Sequence, residues 1–93
     1  MIGHQEAAMK LQEIRQEKDS PLRKVRRLLR LRKDLGQAAA QLAQGRHILR
    51  GDGEDDCADR VEARMKEMLD LCDEARSDAE QIATRARTNT SLM

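Results

Sequence analysis

From Ala58 to Ala86, the residues Ala58, Val61, Met65, Met68, Cys72, Ala75, Ala79, Ile82 and Ala86 follow one another at steps of three or four without a break. Only an α-helix brings positions so spaced onto one face. A stripe this long is hidden only by another long helix, so it limits the possible folds more than any other feature of the chain. The matching helix is in the same sequence: Leu28, Leu31, Leu35, Ala38, Leu42, Gly45 and Leu49 keep the same rhythm. Between the two stripes lies Gly51-Asp52-Gly53-Glu54-Asp55-Asp56, where two glycines permit a tight reversal and acids collect at the start of the next helix. Folding the chain back there sets Leu49 against Ala58 and, counting equally, Leu28 against Ala79, a seam of roughly 40 Å at the standard rise per residue.

A third, shorter helix precedes these. Lys18-Asp19-Ser20-Pro21-Leu22 contains the only proline, and a capping serine followed by proline at the first helical position marks a helix start. Upstream, His4, Ala7, Leu11, Ile14 and Lys18 keep helical spacing, but only the middle three are apolar. The expected boundaries are residues 4–18, 21–49 and 54–87, with Gly45 as an alternative early end of the second helix and a disordered tail over 88–93. Leu22, Val25 and Leu29 form a second stripe beside the seam of the second helix, and the first helix is its expected neighbour.

Composition agrees with an all-α fold. The chain has 93 residues and no Phe, Tyr or Trp, so a core must be built from Leu, Ile, Val, Met and Ala. A single domain of that size has little interior. The residues that dominate are good helix formers, and those that favour strands are scarce. The expectation is an antiparallel hairpin of two long helices plus a shorter N-terminal helix, a three-helix bundle or antiparallel coiled coil. The short helix covers about half the seam, which leaves the rest for solvent, a partner, a second copy or further parts of a larger chain.

Net charge is only +1, but it is unevenly spread: nine Lys/Arg against one acid over residues 20–50, and six against twelve over 51–93. The second and third helices should therefore attract one another. Seven of the twelve residues from Leu22 to Lys33 are positive. On a helix Arg23, Arg26, Arg27, Arg30 and Lys33 share an arc of about 120° opposite the leucines. Such an arc is either a solvated face pairing loosely with acids of the other helices, or a surface for an acidic protein, nucleic acid or a membrane. Without aromatics there is nothing to stack on bases or to anchor at a lipid interface. Arg32 falls among the leucines instead, so it needs a carboxylate or carbonyl partner or else marks the rim of an open groove.

Other motifs carry less. Asp52, Glu54 and Asp56 alternate like the first ligands of a calcium loop, but Cys57 and Ala63 stand where its glycine and bidentate glutamate belong. His4, His47, Cys57 and Cys72 lack zinc spacing. Cys57 and Cys72, fifteen residues apart on one helix, are too distant to pair and read as structural thiols. Arg50-Gly51-Asp52 is a tripeptide that recurs by chance, and Ser20, which precedes Pro21 as a kinase site would, is already occupied as a cap. Met65 and Met68 continue the stripe as core filler. The carboxylates lie on exposed faces with no nucleophile–histidine pair, so no enzyme, metal or cofactor is expected. No apolar run reaches the ~20 residues that span a bilayer, and the N-terminus does not resemble a signal peptide, so a cytoplasmic location is expected. These readings converge on a non-enzymatic protein–protein interaction module presenting a helical face, with a small dimeric nucleic-acid binder using the basic arc as the second hypothesis.

Overall fold

The structure, a computed structural model, describes residues 3–92, with side chains described for residues 3–88. Three helices make up the described chain: α1 (His4–Gln16), α2 (Pro21–Gly51) and α3 (Asp55–Leu92). The two long helices pack against each other as an antiparallel hairpin, with α1 laid along one side. The bundle is a rod with extents of 61 × 21 × 14 Å.

Local chemistry explains where each helix starts and stops. At the start of α2, the Ser20 hydroxyl accepts from the Arg23 amide at 3.3 Å, and Pro21 fills the first turn, where an amide would have no partner. α1 ends at Gln16, two residues before the expected end; Glu17 is extended, and the Asp19 carboxylate accepts from the Ser20 amide. Replacing Ser20 by Ala should lower stability by about 1 kcal/mol, measurable as a shift in the urea midpoint; no shift would mean that Pro21 alone fixes the start.

Gly45 does not end α2, which continues through it to Gly51. The stop is a Schellman arrangement: Gly53 adopts φ +80, its amide donates to the Arg50 carbonyl at 3.2 Å, and the Glu54 amide donates to the Leu49 carbonyl at 2.8 Å. A side chain at position 53 would strain that left-handed backbone, which is why this glycine sets the reversal. At the far end α3 runs to Leu92 rather than stopping at residue 87. No glycine or proline follows Ala86, and the Thr88 hydroxyl donates to the Thr84 carbonyl, so loss of the apolar rhythm alone does not break the helix. Met93 lies outside the described residues.

The core is one cluster shared by all three helices. Ala7, Leu11 and Ile14 of α1 meet Leu28, Leu31 and Leu35 of α2 and Met68, Leu71, Ala75 and Ala79 of α3. Leu28 and Leu35 are the largest side chains fully withdrawn from solvent. Leu71 is off the nine-residue stripe, yet it is buried in this cluster. Hairpin register follows the expected pairing: Arg46 reaches Glu62, Arg50 reaches Asp59, and the Cys72 thiol donates to the Arg32 carbonyl. Cys57 and Cys72 are free and partly buried.

α1 runs antiparallel to α2. Its first residues flank a cleft with Leu42, Arg64 and Met68, and its last turn flanks another with Leu28, Asp78 and Ile82. It therefore spans the levels of α2 from about Leu28 to Leu42, and the hairpin beyond is two helices thick. Arg15 secures its end: Nε donates to Asp78 Oδ2 at 2.6 Å, with Glu74 at 3.6 Å. The hydrogen bond that Arg15 donates to Asp78 raises the pKa of this guanidinium, opposed by the smaller effect of burial, so Arg15 keeps its charge throughout the ordinary pH range.

The second apolar stripe of α2 corrects the sequence expectation. Leu22 and Leu29 do not pack on α1; they are 62% and 45% exposed. Leu29 and Val25 instead flank a groove against Ala79 and Ala83 of α3, on the hairpin side turned away from α1.

Candidate functional site

The five cations of the basic arc divide in two. Arg27 donates to the Glu17 carboxylate, and Arg23 lies 3.7 Å from Asp19, so these two tie the α1–α2 connector to the start of α2. Both contacts are partly exposed and contribute no more than about 1 kcal/mol each. Arg26, Arg30 and Lys33 are exposed, and among the described residues none of them has an ion-pair partner.

The attraction expected between α2 and α3 is realised at the other end of the hairpin. There Arg46 pairs with Glu62 at 3.1 Å, and Arg50 is placed among Asp55, Asp59 and Glu62. The arc at residues 23–33 makes no such bridge to α3 among the described residues. Its position is unfavourable in two further ways. Arg23, Arg26, Arg27 and Arg30 are like charges at three- and four-residue spacing, each such pair costing roughly 0.2–0.5 kcal/mol. They also crowd the N-terminal turns of α2, where the first turn holds no acid and the helix dipole already presents positive charge.

Arg32, placed by the sequence among the leucines, proves to be exposed, and no carboxylate pairs with it among the described residues. It stands on the rim of the groove that contains Val25, Leu29, Ala79 and Ala83, with Arg76 and Glu80, themselves paired at 3.1 Å, on the opposite wall. The two sequence features thus adjoin: Arg26 is four residues after Leu22 and three before Leu29, and Lys33 is four after Leu29. On α3, Leu69 is 43% exposed on the same side, at helical spacing from Cys72, Arg76 and Ala83. The result is an apolar strip edged by unpaired cations.

Among the described residues, no three His, Cys, Asp or Glu side chains gather closely enough to hold a metal ion, and no helix is long and apolar enough to cross a membrane. Comparison of the chain with protein-family models, with curated proteins and with solved structures found no match.

Proposed function

We propose that this chain is a non-enzymatic protein-binding module that uses the hairpin face away from α1 to hold an amphipathic, acidic helix of a protein partner. The observation that carries this reading is the coincidence of the exposed leucines with the cation cluster that the fold leaves uncompensated. Each is costly or idle in the isolated chain. Together they match a helix with one apolar face and an acidic flank, the usual terms of helix-in-groove recognition. The same strip offers no aromatic platform for bases or for a lipid interface, which favours protein over either. Nothing about the carboxylates or thiols favours catalysis, and a cytoplasmic setting accords with two free thiols.

A photo-crosslinking amino acid in place of Leu29 tests the proposal in the source cell. It should yield a discrete protein adduct, which Arg26→Glu with Arg30→Glu abolishes while the melting temperature stays within a few degrees. An adduct that survives the double reversal would reduce the arc to a solvated face. The second reading, nucleic acid on the same arc, rests on Lys/Arg needing nothing else to contact phosphate. Binding of a random-sequence DNA duplex that weakens steeply between about 50 and 200 mM salt, and is lost in the same double variant, would put it in place of the first.

A further inference from the structure

We propose that the cleft at the Pro21 end of the bundle binds a small organic anion, an alkyl monocarboxylate, with its carboxylate between Lys24 and Arg85 and its chain over Ile14, Leu28 and Ile82. This site is on the α1 side of the hairpin, opposite the strip around Leu29, and is independent of the protein-binding reading.

The cleft exists because α1 stops short. Its buried row, Ala7, Leu11 and Ile14, fills the groove between α2 and α3. The next position of that row is Lys18, but α1 ends at Gln16 and Lys18 is exposed. The groove therefore runs on past Ile14 for about two turns of α2, from Leu28 to Pro21, or roughly 10 Å at the standard rise per residue. The open space is about 480 Å³, within the roughly 300–1,000 Å³ of small-molecule sites. Its floor, where Ile14, Leu28 and Ile82 meet, is the uncovered end of the shared core.

Charge selects the ligand. Lys24 on the α2 wall and Arg85 on the α3 wall both line the cleft. In the pairing that sets Leu28 against Ala79, Lys24 comes level with Ala83, two residues from Arg85, so the axial offset of the two cations is roughly 3 Å. Lys24 is half-buried, and neither cation has an ion-pair partner among the described residues. The two acids that line the cleft are already engaged. Asp78 accepts from Arg15 at 2.6 Å, while Asp19 accepts from the Ser20 amide and lies 3.7 Å from Arg23. What remains is two like charges on the two walls, which repel each other until an anion lies between them. A carboxylate can accept from the ammonium and from the guanidinium at once. A second acidic group on the ligand would approach Asp19 or Asp78, so one negative charge fits better than two. The apolar floor takes a hydrocarbon chain rather than a sugar, and without an aromatic side chain to stack on a ring an alkyl chain fits better than a flat heterocycle.

Titration of the full-length, nitrogen-15-labelled chain with octanoate, followed by amide chemical shifts, is the test. A ligand of this size binds at about millimolar concentration or tighter, so the amides of Ile14, Leu28 and Ile82 should shift and saturate at one equivalent bound. Acetate, which lacks the chain, should give no saturable shift, and octanol, which lacks the charge, should bind about tenfold more weakly. Lys24→Gln with Arg85→Gln should weaken octanoate by about tenfold at an unchanged melting temperature. Arg60→Gln with Lys66→Gln removes the same charge from exposed positions far from the cleft and should leave binding as it was. Three outcomes overturn the proposal: no saturable shift up to about 20 mM octanoate, octanol binding as tightly as octanoate, or affinity indifferent to Lys24→Gln with Arg85→Gln.

Discussion

Leu35→Asp should unfold the protein. Leu35 is fully withdrawn from solvent at the centre of the only core cluster found among the described residues. Deleting a buried leucine to alanine costs about 2–5 kcal/mol, and placing a carboxylate there adds the penalty of an unpaired buried charge. A domain of this size has roughly 5–15 kcal/mol in total, and one with so thin an interior lies toward the lower end. The aspartate side chain would have to protonate or drag water into the seam, and no polar group of the cluster can pair with it. Circular dichroism at 25 °C should show most of the helical signal gone, with no cooperative thermal transition. Retained ellipticity with an unchanged melt would refute the pairing of α2 with α3.

Leu11→Asp should have a large but local effect. α1 is held by Ala7, Leu11 and Ile14, together with the partly exposed links from Arg15 to Asp78 and from Glu17 to Arg27. A helix of 13 residues is marginal alone in water, so undocking α1 also melts it. Helical signal should fall by about a sixth, the share of α1 among the three helices. Amide exchange should become fast over residues 4–16 while Leu28 to Leu42 stay protected. The newly bared surface around Leu28, Leu31 and Leu71 should bind an apolar dye. Loss of the whole fold in one step would show instead that the hairpin cannot stand without its third helix.

The hairpin was legible in the sequence because its information is periodic. Nine positions on one helix and seven on the other leave few ways to hide both stripes, and the Gly51–Asp56 turn sets the pairing. What periodicity does not carry is which neighbour each flank of a wide stripe meets. Leu22, Val25 and Leu29 have the spacing to pack on α1, yet α1 is docked on the other side, where Leu28 and Leu31 serve. Leu71 was missed for the same reason: it belongs to the flank of α3 that faces α1, one step off the stripe that faces α2. Arg32 could be recognised as misplaced, but whether it was paired or open depended on the side taken by α1. The basic arc was visible as charge, while its division into tethering Arg23 and Arg27 and unpaired Arg26, Arg30 and Lys33 followed from where the connector ran. Gly45 illustrates the converse. A weak helix former between good ones does not stop a helix, whereas Gly53, with its left-handed backbone and the two carbonyls it helps to satisfy, does.

The docking of α1 between the levels of Leu28 and Leu42 gives the rod an uneven stiffness. Its middle is three helices thick and shares the large leucines, while toward the Gly53 reversal it thins to two helices whose seam is made partly of Gly45 and Ala58. Resistance to bending rises steeply with thickness, so the loop end is the compliant arm of a lever whose fulcrum is α1. Motion at the reversal leaves the strip around Leu29 undisturbed, because Leu29 itself lies at a level that α1 clamps.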